Sequence, residues 1–69
     1  MIKKTDKLLI TGCGGMLGEA VYRQFKNKCQ VLATDINTNE PWLSYLDVTD
    51  KKEIQTTLQR FKPDFIIHL

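Results

Sequence analysis

Apolar positions follow two alternating rhythms along this chain, short continuous runs and longer stretches repeating every three or four residues. The runs Lys7 to Ile10, Val31 to Ala33 (closing at Asp35), Trp42 to Leu46 and Phe65 to Ile67 are bounded by turn residues, which suits strands buried on both faces. From Met16 to about Lys26, Leu17, Ala20, Val21 and Phe25 recur at helical spacing while Glu19, Arg23 and Lys26 face elsewhere, and Asn27 and Lys28 end the helix. A second helix is expected after Asp50, its N-cap, with Glu53 three positions on to complete a capping-box-like pair. Ile54, Leu58 and Phe61 form its apolar stripe and Pro63 stops it. Ile36 to Pro41, with Asn37, Thr38 and Asn39, reads as a loop. The order is thus β-α-β-β-α-β, without repeats, and a right-handed crossover makes the first two strands parallel neighbours.

Between the first strand and the first helix lies Thr11 to Gly18, TGCGGMLG. Glycine serves such a turn in two ways, by allowing positive φ and by letting a ligand approach a backbone that carries no Cβ. Amides opening the helix have no internal partners and, with the helix dipole, favour an anion such as a pyrophosphate. A Walker loop would need Lys-Ser/Thr after Gly18, where Glu19-Ala20 stands. The pattern G-x-G-x-x-G starts at Gly12 and Gly14 and fails at Leu17, whereas T-G-x-x-G-x-x-G fits Thr11, Gly12, Gly15 and Gly18. On spacing alone, a phosphate site and a tight turn with close helix packing both remain open.

Asp35 ends the second strand twenty positions after Gly15, where a carboxylate can accept the hydroxyls of an adenosine ribose. It would repel a 2′-phosphate, and no arginine follows to compensate, so NAD is favoured over NADP. The competing reading is a polar strand end.

Sixty-nine residues allow one small domain of marginal stability, and 42% apolar with 26% charged residues is ordinary for a globular chain. A net charge of +2 is near balance, and Lys3, Lys4 and Lys7 read as a solvated lead-in without aromatic interleaving, so nucleic-acid binding is unsupported. Cys13 and Cys29 have no companion His/Cys pair and read as reduced thiols of a cytoplasmic protein, with neither a disulfide framework nor a zinc site. No membrane span or signal peptide is visible. No paired carboxylates, metal-ligand cluster or Ser/His/Asp set can be assembled, and His68, with no carboxylate or nucleophile placed beside it by the sequence, reads as a strand-end histidine near the cofactor's edge rather than a general base.

The glycine turn, Asp35, the run Asp47 to Asp50, Lys62 to Asp64 and the apolar Phe65 to Leu69 together resemble the extended branch of the short-chain dehydrogenase/reductase family, across essentially the whole chain. The resemblance implies the N-terminal part of a Rossmann-type parallel sheet, order 3-2-1-4, flanked by helices. Residues 1–69 would then be part of an NAD(P)-binding domain in a longer protein. It implies a cofactor site at Gly12, Gly15, Met16, Leu17, Gly18, Asp35, Asp47 and Val48, with Asp47 taking the adenine amine and the Val48 amide a ring nitrogen. GGMLG, LDVTD and KPD are similar to the dTDP-4-dehydrorhamnose reductase family, which reduces a 4-keto nucleotide sugar. The Ile-His-Leu ending is commoner in sugar-nucleotide epimerases and dehydratases. The family's catalytic Tyr-x-x-x-Lys is matched in string by Tyr22 to Lys26, but Tyr22 lies about 10 Å down the helix from Gly15. A surface tyrosine packing beside Phe25 is the expected role, and no catalytic residue is placed within the chain. A nucleotide-sugar substrate is the implied partner, a homo-oligomer is among the assemblies the resemblance allows, and a noncatalytic nucleotide-binding or regulatory module of the same fold is the alternative.

Overall fold

A computed structural model describes residues 2–69. Its elements, in order, are β1 (Lys7–Thr11), α1 (Met16–Phe25), β2 (Gln30–Asp35), β3 (Leu43–Tyr45), α2 (Lys51–Phe61) and β4 (Phe65–His68). The four strands form one all-parallel sheet in the order β3-β2-β1-β4, as the resemblance implies. From β1 to β2 the chain steps one way across the sheet, and from β3 to β4 it steps the other way. Right-handed crossovers therefore put α1 and α2 on opposite faces.

Register divides the side chains between those faces. Leu8, Ile10, Ala33 and Leu43 belong to the buried cluster beneath α1, which Cys13 and Cys29 complete. Leu9 and Leu46 face α2, where Ile54 and Leu58 lie across from them. Buried Thr34 sits between strands with its hydroxyl donating to the Ile10 carbonyl at 2.8 Å, so its polar atom is satisfied.

The rotation of α1 differs from the expected stripe. Leu17 is 66% exposed and Ala20 is also exposed, while Gly18, Val21, Tyr22 and Phe25 turn inward. Those four positions are also helically spaced, and Gly18 decides between the two rotations. A Cβ on it would lie 2.2 Å from the Cys13 carbonyl oxygen, so this residue is pressed against the turn and sets the helix about its axis. Tyr22 accordingly does more than pack near Phe25, because its ring stacks on Trp42 with centroids 4.3 Å apart and planes 10° from parallel. Trp42 is thereby drawn out of the third strand, which runs only from Leu43 to Tyr45 rather than from Trp42 to Leu46.

At α2 the expected cap is half made. The Asp50 carboxylate accepts from the amides of Lys52 (3.0 Å) and Glu53 (3.3 Å). Its own amide donates to the Asp47 carbonyl at 3.0 Å, so Glu53 has no reciprocal role and the pair is a simple N-cap. The helix ends through Lys62 in the left-handed conformation (φ 53°), a position usually given to glycine, with Pro63 next. Asp64 then ties the chain to β1: its carboxylate takes the Lys7 amide at 2.8 Å and its amide donates to the Lys7 carbonyl at 2.7 Å. Among the described residues, no helix is long and apolar enough to cross a membrane.

Candidate functional site

The carboxyl ends of β1, β2 and β4 and the segment after β3 converge at one end of the sheet. β1 feeds the glycine turn, whose course is held by the strands on either side. The Cys13 amide donates to the Thr34 carbonyl (2.9 Å) and the Leu69 amide to the Thr11 carbonyl (3.0 Å), so both ladders run on past the strand ends. Gly12 lies between them at φ +70°, and a Cβ there would meet the Leu69 carbonyl oxygen at 2.7 Å. Its glycine requirement comes from backbone conformation and from the neighbouring strand.

Gly15 is different. It is the N-cap of α1, no side chain caps it, and an added Cβ would meet nothing within 4 Å. The first helical amide to find its carbonyl is that of Glu19, bonded to Gly15 at 3.0 Å, so those of Met16, Leu17 and Gly18 precede the first closed turn. Met16 and Leu17 project into solvent, 92% and 66% exposed. The helix N-terminus is thus an open cradle of donors at the positive end of a dipole, and it suits an anionic group.

Asp35 joins the turn to β2. One carboxylate oxygen accepts the Gly14 amide and the other the Asn37 amide, each at 2.8 Å. These bonds, that from Asn37 first, hold its carboxyl below the ordinary aspartate range, so it is ionised near neutrality. A Cβ on Gly14 would fall 2.8 Å from the carboxylate carbon, so a larger residue there would displace the Asp35 side chain. Asp47 carries a similar internal brace, with the Thr49 hydroxyl (2.6 Å) and amide (2.9 Å) both donating to Oδ1. The hydroxyl is the larger cause of its lowered pKa.

Gly12, Asp35, Asp47 and Val48, four of the residues expected from the sequence, line one open groove of about 260 Å³. His68, expected at a strand end near the cofactor's edge, lines it too, as do Ile36, Thr49 and Leu69, which were not anticipated. Ile36 is 62% exposed beside Asp35, and with Val48 (40% exposed) it gives the groove two apolar surfaces. The Asp-x-Thr spacing could have revealed Thr49, because a side-chain-to-backbone bond at i+2 is local. The partner of His68 could not have been found from local sequence, since its Nδ1 lies 2.6 Å from the hydroxyl of Thr11, a residue 57 positions away. Gly15, Met16, Leu17 and Gly18 lie beyond the groove, at the start of α1.

A larger cavity of about 360 Å³ lies between α2 and the sheet, lined mainly by Leu9, Leu46, Ile54, Leu58 and Ile66. Only Thr11 and His68 give it polar atoms, so it lacks the convergent donors a charged nucleotide needs. It is a packing gap, and the ionised side chains gather at the smaller groove. Cys13, read from the sequence as a variable turn position, is wholly buried and donates its thiol to the Gly18 carbonyl at 3.1 Å. Burial, then the Asp35 charge, pushes that thiol's pKa up, which makes it inert packing. Tyr22 and Lys26 stay on α1, the tyrosine against Trp42 and the lysine at the helix end. Among the described residues, no group of three His, Cys, Asp or Glu side chains could hold a metal ion.

The family model of the RmlD substrate binding domain matches residues 6–69. The chain belongs to this family, within the extended short-chain dehydrogenase/reductases. Relatives within reach of the same sequence are of two kinds. Methionine adenosyltransferase 2 subunit beta of Xenopus tropicalis is 41% identical over 63 residues, which is 90% of this chain and 19% of that protein. GDP-L-colitose synthase of Yersinia pseudotuberculosis is 40% identical over 62 residues, 90% of this chain and 18% of that protein. An uncharacterized epimerase/dehydratase of Staphylococcus saprophyticus is 34% identical, over 91% of this chain and 23% of its own length. The chain spans about a fifth of the relatives it matches.

Proposed function

We propose that this chain is the dinucleotide-binding segment of an NAD(P)-dependent sugar-nucleotide oxidoreductase, one that reduces a 4-keto nucleotide sugar in the manner of the dTDP-4-dehydrorhamnose reductases. The observation that carries this reading is the meeting of Gly12, Asp35, Asp47 and Val48 in one groove. That groove shares the head of the sheet with the open amide cradle at Gly15. In this reading the amides of Met16, Leu17 and Gly18 hold the pyrophosphate. The ionised Asp35 accepts ribose hydroxyls, each oxygen keeping a lone pair beyond its bond to Gly14 or Asn37. Both internal bonds of Asp47 fall on Oδ1, which leaves Oδ2 for the adenine amine, and Ile36 and Val48 flank the ring. When bound, the nicotinamide supplies a hydride; the chain's own residues bind and orient the carrier.

NAD is the favoured form, because a carboxylate already anchored and ionised repels a 2′-phosphate. Cytoplasmic location and a nucleotide-sugar substrate in the whole protein belong to the same reading, as does a catalytic Tyr/Lys pair lying outside residues 1–69. An epimerase or dehydratase of the same family is the near alternative, favoured by the Ile-His-Leu ending and by the Staphylococcus relative.

A second reading has its own observation. The Xenopus relative is named as a subunit of a methionine adenosyltransferase rather than as a sugar-nucleotide enzyme, which favours a noncatalytic nucleotide-binding module. Calorimetric titration of a full-length protein carrying this segment with NADH and NADPH, beside an assay of NADH oxidation with a 4-keto nucleotide sugar, separates the two. Binding with turnover supports the oxidoreductase, binding without turnover the module. No binding of either dinucleotide refutes both.

A further inference from the structure

Resting on the dinucleotide-binding reading above, we infer that Thr49 is a positioning residue that selects the purine: by holding Asp47 through one oxygen, it presents the other as an acceptor matched to a 6-amino base and opposed to a 6-keto base. Asp47 follows β3 and lines the groove half-buried, beside Val48 and Thr49. Thr49 reaches back to it twice, its hydroxyl at 2.6 Å and its amide at 2.9 Å both donating to Oδ1. A carboxylate oxygen offers about two lone-pair sites, so the two donors fill Oδ1 and take nothing from Oδ2. They also hold the carboxyl below the ordinary aspartate range, the hydroxyl more than the amide, so Asp47 stays ionised and has no proton to give. Its backbone is fixed separately, because the Asp50 amide, just before α2, donates to the Asp47 carbonyl at 3.0 Å.

The consequence for the base is one of donors and acceptors. A 6-amino purine turns an N–H donor toward an acceptor in this place, whereas a 6-keto purine turns a lone pair toward it and leaves two acceptors facing one another. The brace also dictates what Asp47→Asn would do. The single side-chain oxygen would be claimed by the two Thr49 donors, and the NH2 group would take the place of Oδ2, where it is a donor suited to the 6-keto base. The hydroxyl is the part of the brace that a side chain can remove, since the amide at position 49 belongs to the backbone.

The test is calorimetric titration of a full-length protein carrying this segment with NADH and with reduced nicotinamide hypoxanthine dinucleotide, which carries a 6-keto base in place of adenine. The native protein should prefer NADH by about tenfold, as a hydrogen bond to a charged group warrants. Thr49→Val removes the hydroxyl at nearly constant volume and should cut that preference about threefold, mainly by weakening NADH. Thr49→Ser keeps a hydroxyl and should keep the preference. Asp47→Asn should reverse the preference, and adding Thr49→Val to it should shrink the reversal. Thr49 is exposed and both backbone bonds remain, so circular dichroism should show each variant folded. A merely structural Thr49 would weaken both dinucleotides alike. That result overturns the proposal, as does a native protein that binds NADH without telling the two bases apart, or an Asp47→Asn variant that still prefers NADH. Binding of neither dinucleotide by the native protein refutes the dinucleotide reading itself and this proposal with it, so the two failures are told apart.

Discussion

The two faces of the sheet carry helices of similar design and bury them to different depths. Both α1 and α2 present an apolar stripe, yet only the α1 face holds a closed core, with Leu8, Ile10, Cys13, Cys29, Ala33 and Leu43 packed beneath Val21, Tyr22 and Phe25. On the other face α2 has no buried residue, and the cavity of about 360 Å³ lies between its stripe and Leu9, Leu46 and Ile66. The difference lies in how each helix is seated. Gly18 brings α1 into backbone contact with the turn, and the Tyr22–Trp42 stack pins its far side to the β2–β3 connection. α2 has no such contact along its length and is tied to the sheet just past its C-terminal end, by Asp64 on β1. An amphipathic pattern orients a helix, but close contact needs a point where nothing keeps the backbones apart.

The largest effect should come from removing that point. Gly18→Val places a branched side chain within the Cys13 backbone, and the strain exceeds what a chain of this size can absorb, so loss of the cooperative urea transition is expected. A folded variant would mean that α1 is as loosely seated as α2.

One substitution applied to both faces sharpens the contrast. Ile10→Phe overfills the closed core and should destabilise by about 1–3 kcal/mol, whereas Leu58→Phe extends into the cavity and should stabilise by roughly 0.5–1 kcal/mol. Opposite signs in paired denaturant melts would establish that packing, rather than helix propensity, separates the faces. Destabilisation by both would show that the cavity closes in solution.

The glycine turn permits a comparison on a smaller scale. Gly15→Val meets no atom and has an extended backbone (φ −95°, ψ −175°), so the melting temperature should hold while dinucleotide affinity falls about tenfold, or 1.4 kcal/mol. Unchanged affinity in titration of the folded variant would remove Gly15 from the site. Asp35→Ser should narrow or reverse a preference for NADH over NADPH, and should lose about 1–2 kcal/mol of stability because Gly14 and Asn37 lose their acceptor. A parent protein that prefers NADPH with Asp35 in place would contradict the assigned role.

The smallest effect is acid sensitivity at the head of the sheet. Asp35 and Asp47 have folded pKa values below the ordinary range, so folding favours their charged forms. Their contribution is fully present above the unfolded aspartate value of about 3.9 and is lost as pH falls through the folded values. Amide exchange should therefore rise at Gly14, Asn37 and Thr49 on acidification before it rises in β1. Uniform loss of protection would place these carboxylates outside the stability of the site.

Local chemistry was enough, from sequence alone, to set the succession of strands and helices, the Asp50 cap, the parallel adjacency of β1 and β2 and the place of the glycine turn between β1 and α1, while the order 3-2-1-4 came from the family resemblance. Each of the local features follows from residues within a turn or two of one another, or from the handedness of crossovers, which is a property of L-amino acids. Contacts between distant residues were decided only in three dimensions. Neither the stacking of Trp42 on Tyr22, nor the Thr11–His68 bond, nor the anchoring of Lys7 by Asp64 has a local signature. The rotation of α1 shows why: Leu17 and Ala20 fit the helical period as well as Gly18 and Tyr22 do, and hydrophobicity favours the first pair. Only the approach of Gly18 to the Cys13 backbone, which leaves no room for a Cβ, turns the helix to its observed face and leaves Met16 and Leu17 in solvent beside the open cradle.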